Sequence, residues 1–206
     1  MSLGTLYIIS APSGAGKTTL VRRLVDTVEH ATISVSHTTR PSRTDEADGT
    51  DYHFVDAQTF LAMIEDGAFL EHARVFDHFY GTSRAAVESH LQHGQDVVLE
   101  IDWQGARQVR QRMPGCLSVF VLPPSLEVLE SRLRSRGQDS DATIARRMHD
   151  AVHEMSHYAE YDYLIINRDF ASALGELQTI FSANRLKLLP QQHRHRGLID
   201  HLLRRS

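Results

Sequence analysis

Four short, almost unbroken apolar runs punctuate the chain: Leu6-Tyr7-Ile8-Ile9, Val97-Val98-Leu99-Glu100-Ile101, Leu117-Ser118-Val119-Phe120-Val121 and Tyr163-Leu164-Ile165-Ile166. Strands covered on both faces read this way, because neither side meets water. Helical spacing of apolar positions marks residues 17–28, 103–112, 125–134 and 171–189. A weaker strand signal stands at 33–36. Strand and helix alternate, which predicts an α/β fold with a parallel sheet core flanked by helices.

Two stretches break the rhythm. Residues 37–83 are polar, rich in Pro, Asp and Gly between Arg40 and Asp51, with short strand-like pieces such as Tyr52-His53-Phe54-Val55. They predict a small inserted subdomain. Residues 131–147 carry five arginines against two aspartates around Gly137, which predicts a basic flap running into a helix. The tail after Pro190 is basic and His-rich, with Leu198, Leu202 and Leu203 on one helical face. It reads as a packed or fraying terminal helix.

Bulk properties narrow the function. The 206 residues suit one domain and the 41% hydrophobic share suffices for a core. A net charge of -4 gives no general attraction to nucleic acid or anionic membranes. Any anion site must come from local arginines. The single Cys116 excludes an internal disulfide and points to a reducing cytoplasm. No apolar run reaches membrane-spanning length, and Met1 to Thr5 lacks a signal-peptide start. Thirteen histidines are scattered without metal-ligand spacing, so no dedicated protein metal site is expected.

The first strand runs into Ala11-Pro12-Ser13-Gly14-Ala15-Gly16-Lys17-Thr18-Thr19, and a helix follows. This is a Walker A loop with Ala11 in place of the first glycine, hence a P-loop NTPase-type core. Gly14 and Gly16 let successive backbone N–H groups turn inward around a phosphate. The helix N-terminus adds its positive end. Lys17 reaches the β- and γ-phosphates as a point charge. The Thr18 hydroxyl is placed to ligate Mg²⁺ brought with the ATP phosphates. Ala11 requires only that its position avoid the left-handed region.

The loop alone does not separate a kinase from a GTPase or a motor. Arg40 and Arg43, three apart in a loop, can fork onto one phosphate. Tyr52 and Tyr80 can donate phenolic hydrogen bonds to the same anion. Glu71 and Asp102 are carboxylates within apolar surroundings, compatible with a ligand contact or with a satisfied structural role.

Ser36-His37-Thr38-Thr39-Arg40, Asp51-Tyr52-His53-Phe54, Phe69-Leu70-Glu71-His72, Tyr80-Gly81-Thr82-Ser83 and Ile101-Asp102-Trp103-Gln104-Gly105, together with the Walker loop, resemble the guanylate kinase family. The resemblance runs from the Walker loop through Asn167. It implies a monofunctional, cytosolic, Mg²⁺-dependent enzyme moving the γ-phosphate of ATP onto GMP, to give ADP and GDP. Its implied parts are a core (1–36, 84–125 and 153–206), a GMP-binding subdomain (37–83) and a mobile lid (126–152). By the same resemblance, Ser36, Arg40, Arg43, Tyr52 and Tyr80 hold the GMP phosphate. Glu71, Thr82 and Asp102 read the guanine, and Arg132 and Asn167 contact the adenine of ATP. The chemistry agrees: guanine donates at N1–H and its amine and accepts at O6, which two carboxylates and a hydroxyl complement. Adenine reverses that pattern.

Ile144, Met148, Ala151, Val152 and Met155 mark an apolar stripe on the helix after the flap. At 100° per residue Arg147 lies at the stripe's edge and Arg146 opposite it. Arg136 and Arg147, with Lys17, are therefore the candidates for neutralising the transferring phosphoryl group. The expected partners are ATP and GMP, with no nucleic acid or membrane; a homo-oligomer stays open. Two other readings compete: a P-loop kinase for another phosphorylated acceptor such as a ribosyl bisphosphate, and an inactive phosphopeptide-docking module. The guanine-reading trio disfavours the first, and the intact Gly14, Gly16, Lys17 and Thr18 disfavour the second.

Overall fold

The computed structural model describes residues 4–75, 77–135 and 140–204. Two sheets organise them. The first holds β1 (Leu6–Ser10), β2 (Ala31–Ile33), β7 (Asp96–Glu100), β8 (Leu117–Leu122) and β9 (Tyr163–Ile166) in the order β2-β7-β1-β8-β9, all parallel. β1 is central and buried along its whole length, which explains its unbroken apolar run. Its side chains alternate between two cores. Tyr7 and Ile9 meet α1 (Lys17–Thr27) and α7 (Phe170–Arg185), where Tyr7 stacks on Phe181 at 3.6 Å. Leu6 and Ile8 face the core shared with α3 (Arg84–Gln92) and α4 (Trp103–Arg112).

The second sheet comprises β3 (His37–Thr38), β4 (His53–Phe54), β5 (Phe69–Val75) and β6 (His78–Ser83), ordered β4-β3-β6-β5, with α2 (Ala57–Glu65) beside it. Its long hairpin is anchored to the main body. Leu70 of β5 belongs to the α3/α4 core. The Gln108 amide on α4 grips the backbone of His72 twice, accepting from N–H at 3.2 Å and donating to C=O at 2.7 Å. Arg112 donates to the Leu70 carbonyl.

Two further helices, α5 (Leu126–Arg134) and α6 (Asp141–Met155), pack on each other through Leu129, Leu133 and Ala151, with Met148 and Met155 alongside. A short 3₁₀ turn (Tyr158–Glu160) leads into β9. The chain ends in α8 (Leu188–Arg194) and α9 (Arg196–Leu203).

Several expectations need correction. The second strand spans 31–33 rather than 33–36; Ser36 lies in the passage toward the second sheet. The helix expected over 171–189 stops at Arg185, because the chain opens at Lys187 before α8 begins. Val152 is 52% exposed, so the buried stripe of α6 excludes it. The tail is helical, but Leu198, Leu202 and Leu203 are all exposed, so it is not packed through that face. Among the described residues no helix is long and apolar enough to cross a membrane.

Candidate active site

Ligands of open parallel sheets gather where connections diverge at the carboxyl ends of the strands. Here those ends belong to β1 and β7. Parallel pairing sets Ile9 beside Glu100, and the Ser10 hydroxyl donates to the Ile101 carbonyl at 2.7 Å. The Walker loop leaving β1 and the segment leaving β7 therefore emerge side by side. A cleft of about 310 Å³ opens between them. Its walls include Ala11, Pro12, Ser13, Gly14, Gly16, Lys17, Thr18 and Thr19 from the loop, Ser36, Tyr52, Glu71 and Tyr80 from the second-sheet side, and Asp102.

Gly14 and Gly16 both adopt left-handed backbone, with φ of 92° and 91°. A side chain at Gly16 would collide with the Asn167 amide, and one at Gly14 would press on Leu129 and Leu133. Ala11 keeps a negative φ; among the described residues His30 is the only non-glycine with a positive one. Ala15 is fully buried, and its carbonyl accepts from Asn167 at 2.7 Å and from Arg132 at 3.3 Å. Arg132 also donates to the Asn167 carbonyl at 3.3 Å. These two residues thus brace the outside of the loop.

On the opposite wall Glu71 is 3% exposed and accepts a 2.5 Å hydrogen bond from the Thr82 hydroxyl. Burial pushes its carboxyl up to about 7; the Thr82 bond opposes this and the Asp102 charge adds to it. Thr82 is itself fully buried, and its proton goes to Glu71. That is not the donation to a guanine O6 expected from the sequence. Asp102 caps α4, accepting from Gly105 N–H at 2.9 Å and from the Gln104 amide at 3.1 Å. It has a structural role as well as a place on the cleft.

Tyr52 and Tyr80 meet edge to face at 5.9 Å. The Arg40 guanidinium lies over the Tyr52 ring and pairs with both oxygens of Glu46, at 2.7 and 2.9 Å. Arg43 is exposed, outside the cleft lining. On α6, Arg147 is half-buried and Arg146 exposed, as the helical phase predicted. Arg136 lies outside the described residues.

Two carboxylates of this cleft escaped the sequence reading. Glu100 ends β7 and accepts from the Thr18 hydroxyl at 2.9 Å. Its signal was legible: an acidic residue closing an apolar strand, where P-loop enzymes keep a metal-binding acid. Glu154, in the last turn of α6, accepts from Ser13 N–H at 3.2 Å. Burial raises its pKa, and the charge of Lys17 opposes that rise. No spacing in the sequence connects Glu154 with a loop so far upstream.

The comparisons agree with one another. The guanylate kinase family model matches residues 3–184. A guanylate kinase of Alkalilimnicola ehrlichii is 64% identical over 189 residues, covering 92% of this chain and 93% of the relative. One from Chromohalobacter salexigens is 58% identical, covering 99% and 95%. The crystal structure of guanylate kinase from Anaplasma phagocytophilum superposes with a TM-score of 0.76 at 34% identity, covering 91% of this chain and 89% of that one.

Proposed function

The chain belongs to the guanylate kinase family, and from that premise we propose that the cleft binds ATP at the Walker loop and GMP against the second sheet. The protein is a nucleoside monophosphate kinase that phosphorylates GMP. The observation that carries the site assignment is the placement of Glu71, buried and bonded to Thr82, across one cleft from Lys17. The carboxylate already accepts from Thr82 and lines the cleft, where guanine N1–H would be a further donor.

In this reading the Walker N–H groups and Lys17 hold the donor phosphates, with Arg132 and Asn167 bracing the loop from the adenine side. Ser36, Tyr52, Tyr80, Arg40 and Arg43 take the GMP phosphate. For Arg40 this means sharing its guanidinium with Glu46, which now holds it. Glu71 and Asp102 accept from N1–H and the amine. Thr82 orients Glu71 and meets O6 only when its hydroxyl turns away from that carboxylate.

Thr18 and Glu100 form an oxygen pair beside the cradle that fits Mg²⁺. Bound with ATP, the ion would neutralise charge on the phosphate oxygens. The chain itself supplies in-line positioning, cationic groups and exclusion of water. The second sheet (37–83) and the α5–α6 segment (126–152) are the proposed closing parts. Closure would carry Arg147, with Arg136, onto the transferring phosphoryl group. The cytoplasm is the proposed compartment.

A coupled ADP-release assay with GMP, AMP, CMP and UMP tests this. Turnover with GMP alone is expected, lost in Lys17→Ala while circular dichroism stays unchanged. Equal turnover with AMP, or full activity in Lys17→Ala, contradicts it.

A further inference from the structure

Glu154 presents an anion to a loop that is built to hold anions. It accepts from Ser13 N–H, a backbone donor of the Walker loop, and it lines the same cleft as Lys17. Nothing in its own helix requires this contact, since a glutamate in the last turn of α6 would otherwise reach solvent. The Lys17 charge attracts the Glu154 carboxylate there, and Asp102 and Asp150 repel it more weakly.

The position on α6 adds a second observation. Glu154 stands seven residues after Arg147, which is two helical turns and the same face, about 10 Å apart along the axis. One face of one helix therefore presents a carboxylate to the cradle and an arginine farther along. Below them Ala151 and Met155 pack on Leu129 and Leu133, and these two leucines lie against Gly14. A change at the cradle is thus felt by α6 through both a polar and an apolar contact.

We propose that Glu154 is an internal competitor for the phosphate cradle, occupying the Ser13 N–H until the terminal phosphates of ATP displace it, and that this displacement frees α6 to bring Arg147 to the site. The idea rests on the assignment of the Walker loop as the ATP site. A phosphate oxygen and the carboxylate oxygen cannot share one N–H donor. ATP affinity is then lowered by the fraction of molecules in which the carboxylate holds the loop. The residue sets donor affinity and couples it to the lid; it takes no proton and forms no bond in the transfer.

The test measures equilibrium binding of ATP, ADP, AMP and GMP to the full chain by calorimetry, for wild type, Glu154→Gln and Glu154→Ala. Circular dichroism accompanies each variant. Both should bind ATP more tightly, by about fivefold or more, with a smaller gain for ADP and none for AMP or GMP. Hydrogen exchange across Asp141–Met155 in nucleotide-free protein should be faster in Glu154→Gln than in wild type. Unchanged or weaker ATP binding in both variants overturns the proposal, as does an equal gain for all four nucleotides. Lys17→Ala separates the two levels. If Lys17→Ala keeps wild-type ATP affinity, the Walker assignment fails. If it loses that affinity and Glu154→Gln alone brings no gain, only the competitor role fails.

Discussion

The Thr82 hydroxyl donates to Glu71 Oε1 at 2.5 Å, between residues that face each other across the β5–β6 hairpin. This bond joins a carboxyl group that burial pushes up to about 7 to a hydroxyl with no access to water. In the proposed assignment, the second sheet rather than the Walker loop is the part of the cleft that selects the acceptor.

One consequence is pH dependence. The folded chain holds a proton on Glu71 up to about 7, whereas an unfolded carboxylate releases it near its ordinary value of 4.5. Between those values the folded state binds more protons. The stability linked to this group is therefore full below 4.5 and lost as pH rises through 7. Glu71→Gln should melt above wild type at pH 8, with the difference shrinking toward pH 5. Because only the ionised carboxylate accepts from N1–H, the wild-type KM for GMP should rise roughly tenfold per unit as pH falls below 7. Thermal melts and initial rates from pH 5.5 to 8.5 check both.

Gly105 explains how Glu71 can lie so near α4. A Cβ there would stand 2.5 Å from Glu71 Oε2. Alanine would favour the helix itself by about 1 kcal/mol. Gly105→Ala should nonetheless raise the KM for GMP about tenfold or more by displacing the carboxylate, leaving the KM for ATP near wild type. A KM for GMP that does not move would show that the contact has no part in acceptor binding.

The α6 arginines should behave unequally. The Arg146 side chain is 65% exposed and faces Asp150 at 3.9 Å, a surface pairing of little energetic weight. Arg147 is half-buried on the face that also carries Glu154. Arg147→Ala should lower kcat by about 10²–10³, while Arg146→Ala changes it less than threefold. Steady-state kinetics on the two variants, with equal losses as the adverse outcome, decides the phase argument.

Much of this architecture was legible because burial leaves a strong mark. β1, β7 and β8 have both faces covered, so apolar runs located them to within a residue or two. β2 is a three-residue, half-buried edge strand with no such run, and its position was missed. β3 and β4 are two residues long; tertiary pairing alone makes them strands. Val152 satisfies the helical period, yet it lies outside the cluster of Leu129, Leu133 and Ala151 and stays exposed. In the site, the Walker loop was readable because its chemistry is contiguous. The capping of α4 by Asp102 had a local signal, an Asp directly before the helix, whereas the Thr82–Glu71 bond and the reach of Glu154 to Ser13 depend on folding, and local spacing carries no trace of them.

The central claim is that Glu71 and Asp102 read the base, and kcat/KM for GMP and AMP tests it most directly. Wild type, Glu71→Gln, Asp102→Asn and Arg40→Ala are compared under one assay at pH 8. Each carboxamide keeps size but presents an N–H where an acceptor is needed, so each should lower the GMP-to-AMP ratio by a factor corresponding to about 1–3 kcal/mol. The KM for ATP should stay constant, and Arg40→Ala should weaken both acceptors alike, leaving the ratio unchanged. A ratio that stays at the wild-type value in both Glu71→Gln and Asp102→Asn would contradict the account and place base recognition elsewhere in the cleft.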